Sequence, residues 1–387
     1  MRKAVRDGAR AAYRSLPERG RDRLRPAVSR QLGPKVTLRR LGVVQTAPPG
    51  LRPALRPVVI EAPDDLYIPK ALVKRGLAGY EPFALETYLA LLDIAGPGVV
   101  LDIGANVGLY GLLACAHEPP DEPGAGGLLD RVRRGVGGRG SSKGRTVYSF
   151  EPTPRVAAAA RRSAAVSGLP LRVEEAGVGE SVGPVTLYLS DTSDASNSLN
   201  PTFRHAVDKV VVPGTTVDAF CARKRCRPAV VKIDTESTEP AVLRGARTTI
   251  QRHRPWIMAE VLPGRSEGEI DAAMEGLGYS YYHLTGPGPI EPAERVVGRR
   301  GGADMYLLAP RPMTDADWQV VAAWRAVLDG ITIQHRTVRV SGRLLEPVLL
   351  PVKPLTTLAT PAQPPQPTSP TGAAGPAGEA EPAAPLS

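Results

Sequence analysis

The chain has little cysteine, no long apolar run and almost no acid at its basic end, and each shortage removes a class of answer. Three cysteines, Cys115, Cys221 and Cys226, stand among 387 residues. They form no even disulfide framework and no ligand spacing with the five histidines. A disulfide scaffold and a zinc module are therefore excluded, and no metal site is expected. A reducing, cytoplasmic setting is the expectation. No window approaches the roughly eighteen apolar residues of a membrane span. The basic N-terminus also lacks the unbroken apolar stretch of a secretory leader, so a soluble protein is expected.

The net charge is +10, but it is unevenly spread. Residues 1–60 hold fifteen Lys and Arg against three acids, so this segment alone carries the excess and the remainder is near neutral. The basic character therefore says little about an active site, and no nucleic-acid partner is expected. Residues 1–60 read as a basic, partly disordered arm in which Arg2 to Leu16 could form a short helix. Contact with an anionic surface is the alternative reading of that arm. Residues 351–387 are dominated by Pro, Ala, Thr and Gly and nearly lack charge until Glu379, which reads as a disordered tail. Between them, 61–312 reads as one α/β domain and 313–350 as a helix with a short extension. Residues 117–146, rich in Gly, Pro, Arg and Ser, read as a flexible surface insertion.

The domain is organised around Val99 to Tyr110. Apolar residues run into Asp102, two glycines follow at Gly104 and Gly108, and a small-residue segment comes next. That is a strand, a tight turn and a helix, with bare backbone brought close to a ligand. Strands are expected at Thr146–Phe150, Leu171–Ala176, Val185–Leu189, Val210–Val212, Ala229–Ile233, Trp256–Val261, Tyr279–Leu284 and Ala303–Ala309. Helices are expected at Glu81–Ala95, Arg155–Ser167, Val217–Lys224, Pro240–Ile250, Glu267–Leu277 and Thr314–Leu328. The alternation predicts a doubly wound, mostly parallel sheet with helices on both faces. Asp102 and Glu151 stand farther apart than one βαβ unit requires, and removing the insertion restores the spacing.

Asp102-Ile103-Gly104-Ala105-Asn106-Val107-Gly108, then Phe150-Glu151-Pro152, then Lys232-Ile233-Asp234-Thr235-Glu236 resemble, in that order, the FkbM-type S-adenosylmethionine-dependent methyltransferases. The resemblance runs from about Tyr80 to about Leu308 and implies a seven-stranded Rossmann-like methyltransferase sheet. It implies S-adenosyl-L-methionine as cofactor and O-methylation of a small-molecule or glycan hydroxyl, on a sugar or a natural product. The residues suit this chemistry. Gly104 and Gly108 supply the turn, with Asn106 helping to shape it, and Asp102 is placed for the amino-acid end. Glu151 can accept from both ribose hydroxyls, and Glu175 and Ala176 end the strand where the adenine belongs. Asp234 and Glu236 are the candidates for positioning or deprotonating an acceptor.

Blander readings stand beside these. Asp102 could cap the helix that follows, Gly108 could be a packing glycine, and Glu81 could be either a cofactor-side acid or a helix-start acid. One of Asp234 and Glu236 could serve only Lys232 or a helix N-terminus. The polar loop Ser190 to Asn200 could reach over a substrate or merely connect. The family pattern Glu-Gly-Ala-Glu reads Glu236-Ser237-Thr238-Glu239 here, which puts the acceptor side in question. A catalytically silent cofactor-binding interaction protein is the alternative function. An NAD-dependent oxidoreductase is a more distant one, since the turn does not match G-x-G-x-x-G.

Overall fold

The computed structural model describes residues 35–45, 53–118, 145–298 and 304–341. Strands β1 (Lys35–Gln45) and β2 (Val58–Pro63) come first, followed by helices α1 (Tyr67–Arg75) and α2 (Ala84–Ile94). Then come β3 (Val99–Ile103), α3 (Leu109–Ala116), β4 (Val147–Phe150), α4 (Pro154–Ser167) and β5 (Arg172–Glu174). The hairpin strands β6 (Gly183–Ser190) and β7 (Ala206–Thr215) lead into α5 (Val217–Lys224) and β8 (Pro228–Ile233). Helices α6 (Glu239–Arg244) and α7 (Arg247–His253) precede β9 (Trp256–Val261). The order closes with α8 (Glu267–Met274), β10 (Ser280–His283), β11 (Asp304–Ala309), α9 (Asp315–Asp329) and β12 (Ile331–Ser341).

Seven strands form the expected sheet in the order β10-β11-β9-β8-β3-β4-β5, and β11 alone runs against the others. Both faces are covered, so its strands are apolar on both sides. Val100, Val230 and Met258 enter one core with Tyr88 of α2, Leu112 of α3 and Trp324 of α9. Their neighbours Leu101, Val231 and Ile257 enter the opposite core with Phe220 of α5, Leu243 of α6 and Ile270 of α8. This is the period-two alternation of a strand between two helical layers. From β3 the chain winds outward through β4 and β5, then returns to β8 on the other side of β3. The carboxyl ends of β3 and β8 therefore flank the point where winding reverses, which is where open α/β sheets bind ligands.

Local signals explain several boundaries. Helix α4 stops at Gly168, which takes φ +63, and α9 starts at a capping box between Thr314 and Asp317. The helix expected from Glu81 begins three residues later because Phe83 takes φ 70. The helix expected over 240–250 is split in two between Arg244 and Arg247. No described helix is long and apolar enough to cross a membrane.

The ends differ from the expectation. Residues 35–45, read as part of a basic arm, form β1, which pairs along its length with β12 and also with β2. Leu38, Leu41 and Val43 are buried. Arg40 pairs with Glu61, which is fully buried and also holds Arg162. An arginine that looks solvated in the sequence thus has a partner in a distant strand. The extension after α9 is likewise a strand, so parts of 1–60 and 313–350 meet in one three-stranded sheet. The short helix that Arg2 to Leu16 could form, most of the 117–146 insertion and the tail from 351 lie outside the described residues.

Candidate active site

At the end of β3 the chain turns sharply into α3. Gly104 takes φ +78, and a Cβ there would run into the Asp234 carbonyl at the end of β8. Only glycine fits between the two strand ends. The Gly104 and Ala105 amides both donate to the Phe150 carbonyl, at 3.0 and 2.9 Å, which ties the turn to β4. Asn106 follows at φ +48, a conformation its side chain tolerates by accepting from the Val107 amide at 2.9 Å.

Glu151 stands just past β4 and is buried. Its Oε2 accepts from the Asn106 amide at 2.9 Å and its Oε1 from the Thr153 amide at 2.8 Å. Burial pushes its carboxyl up to about 7, against the pull of those hydrogen bonds. The Thr153 side chain also bonds to this carboxylate, which leaves it a further acceptor position. Gly104, Asn106, Glu151 and Ala176 line one cavity of about 440 Å³, which continues to Asp234 and Glu236.

Three sequence candidates lie elsewhere. Asp102 is fully buried beneath the turn and does not line the cavity. Its Oδ2 accepts from the Gly111 amide at 3.0 Å and from Ser149 Oγ at 2.9 Å, so it fastens α3 to β3 and β4. Gly108 packs against Ala160 and Leu171, each 3.2 Å from where a Cβ would stand. Its φ of +80 and that contact explain the glycine without a ligand. Glu175 points out to Arg161 at 2.7 Å, while the next residue, Ala176, faces the cavity. The alternation along an extended segment separates the two.

The other end of the cavity is acidic. Asp234 Oδ2 accepts from Lys232 Nζ at 2.7 Å, and that ammonium lies 4.8 Å from the centre of the Tyr110 ring. Burial pulls Lys232 down, but Asp234, Asp102 and Glu81 outweigh it and hold the ammonium charged. Glu81 lines the same wall and accepts from the Tyr110 hydroxyl. Burial, then Asp234 and Glu239, push the Glu236 carboxyl up to about 8. Glu236 and Ser237 take φ +58 and +84, and Glu239 braces their turn by accepting from the Thr235 and Ser237 amides at 2.8 and 3.2 Å.

Sequence reasoning missed Glu260 and Asp194. Glu260 lines the acidic end. Ile233 pairs with Ala259 across β8 and β9, so Asp234 and Glu260 follow side by side. An acid within the apolar run Trp256–Val261 was the available signal. Asp194, in the 190–200 loop, accepts from the Asn106 side chain at 3.1 Å and from the Tyr67 amide at 2.9 Å. Ser198 donates to the Glu236 carbonyl at 2.6 Å, and Asn200 donates to Ser237 Oγ at 2.9 Å. The loop is therefore laced to both ends of the cavity and lines it.

A doubly wound sheet with an acid at the end of β4, a glycine turn and a cavity at the winding reversal is the arrangement in which α/β folds of the nucleotide-binding class hold their ligands. Residues 102–281 match the model of the Methyltransferase FkbM domain family. Among solved structures, the chain resembles the methyltransferase FkbM of Methylobacillus flagellatus KT at 16% identity and a TM-score of 0.28, over 55% of this chain and 43% of that one. It thus spans less than half of that protein's length. A SAM-dependent methyltransferase of Agrobacterium tumefaciens is 12% identical over 66% of this chain and 68% of that one, with a TM-score of 0.32. The Pyrococcus abyssi tRNA (uracil-54, C5)-methyltransferase, in complex with S-adenosyl-L-homocysteine, is 11% identical over 65% and 41%, with a TM-score of 0.29. No curated protein sequence matches the chain.

Proposed function

We propose that this chain is an S-adenosyl-L-methionine-dependent methyltransferase that methylates a hydroxyl of a sugar or natural-product acceptor. One observation carries the reading: a single cavity joins the Gly104 turn and Glu151 to a set of carboxylates at the end of β8. The residues fit the cofactor, since a turn without a Cβ admits close approach and Glu151 keeps an acceptor position for a ribose hydroxyl. Ala176 offers an apolar edge for the base. When bound, the cofactor supplies an electrophilic methyl group on a sulfonium. The chain's own work is to orient the acceptor and take its proton, as in-line transfer at carbon requires. Asp234 and Glu236 stand where that acceptor would enter. The hydroxyl acceptor rests on the carboxylates gathered at that end of the cavity and on family resemblance.

The test is calorimetry with S-adenosylhomocysteine and with NAD. The first binds and the second does not. Glu151→Ala weakens binding by about tenfold to a hundredfold, because hydrogen bonds to a charged acceptor contribute about 1.5–3 kcal/mol. Binding of NAD instead, or unchanged affinity in the variant, overturns the assignment.

A further inference from the structure

Asp234, Glu236 and Glu260 each offer a carboxylate oxygen, and these three atoms lie within 4.8 Å of one another. Their ion pairs do not satisfy them. Lys232 occupies one oxygen of Asp234 and leaves the other. Arg204 lines the cavity and draws on Glu236, while Glu81 on the same wall is already engaged by Tyr110. Glu260 is half-buried as a residue, yet its Oε2 is sealed from solvent and has no hydrogen-bond partner. Its side chain lines the cavity. A sealed carboxylate oxygen with no donor, beside two further carboxylates, is an incomplete arrangement: it requires a proton or a cation.

We propose that Asp234, Glu236 and Glu260 bind a divalent, oxygen-preferring cation of the magnesium, manganese or calcium kind at the acceptor end of the cavity. Octahedral ligands at about 2.1 Å lie about 3 Å apart when adjacent and about 4.2 Å apart when opposite. Three such ligands include at least two adjacent pairs, so oxygens that lie within 4.8 Å of one another would draw together by up to about 1.8 Å around the ion, a movement within reach of side-chain rotation. No histidine or cysteine joins them, which favours a hard cation over zinc or copper. The ion's use rests on the methyl-transfer reading. A hydroxyl coordinated to it gives up its proton to water more readily, and the freed oxygen pair forms the new bond to the methyl carbon. The sulfur–methyl bond breaks with its electron pair returning to sulfur, leaving a neutral thioether.

The experiment is a titration of the full chain with manganese, followed by the electron paramagnetic resonance of the free ion, with and without S-adenosylhomocysteine. One saturable site is expected, displaced by excess magnesium. Glu260→Gln and Asp234→Asn weaken it at least tenfold and leave S-adenosylhomocysteine affinity within about twofold. Absence of a saturable site in the wild type overturns the proposal, and so does full manganese affinity in both variants. The wild-type arm needs no variant, and Glu236→Gln replaces either substitution that fails to fold. S-adenosylhomocysteine binding without manganese binding removes the metal and keeps the methyl-transfer reading. Manganese binding without it does the reverse.

Discussion

Glu151 ties the site to pH. Its carboxyl is raised to about 7 by burial, whereas hydroxyl donors of a ribose favour the ionised form. Ligand binding therefore expels a proton, and affinity rises with pH until the free protein is itself ionised. S-adenosylhomocysteine affinity is expected to climb by up to about tenfold per pH unit below 7 and to level above it. Calorimetry from pH 5.5 to 8.5 measures this, and Glu151→Gln flattens the slope. At this scale the sequence was a partial guide. Glu151, Gly104 and Asn106 were legible because strand ends and turns have local signatures. Asp102 and Gly108 lie outside the cavity, where their blander readings as a helix-binding acid and a packing glycine put them, because a motif residue that builds the turn looks, in one dimension, like one that touches the ligand. Glu260 was hidden because its meaning depends on Asp234 in the adjacent strand.

The turn after β8 is the element that departs from the FkbM-type pattern the chain resembles. Ser237 occupies a left-handed conformation at φ +84 where that pattern has glycine, a strain of about 1 kcal/mol or more. Its hydroxyl, however, holds Asn200 at 2.9 Å, a bond contributing about 1 kcal/mol. The two terms oppose each other. Ser237→Gly is therefore expected to change unfolding free energy by less than about 1 kcal/mol while loosening the 190–200 loop. Denaturant titration reads the first, and faster amide exchange confined to that loop reads the second. The core elements of the domain were legible from periodicity, with ends shifted by a few residues. β1 and β12 were not, because their partners lie almost three hundred positions apart and their arginines resemble solvated charge.

Across the whole molecule, the cavity sits where both halves of the winding meet, so a ligand there holds β3, β4 and β8 together. A ligand that binds only the folded state at a hundred times its dissociation constant adds about 2.7 kcal/mol. For a domain of this size that raises Tm by roughly 5–10 °C. S-adenosylhomocysteine is expected to give this shift in a thermal melt and NAD none. An equal shift with NAD would point back to an oxidoreductase.

The three-stranded sheet has one more consequence, for where this chain can be cut and rejoined. Lys35 at the start of β1 is the cross-strand neighbour of Ser341 at the end of β12, and such neighbours lie about 5 Å apart. A short linker can therefore join them directly. A circular permutant that links 341 to 35 and opens new ends within 119–144 keeps every described strand pairing intact. It is expected to fold and to bind S-adenosylhomocysteine as the parent does, whereas a permutant opened between β8 and α6 cuts the acidic turn and loses manganese.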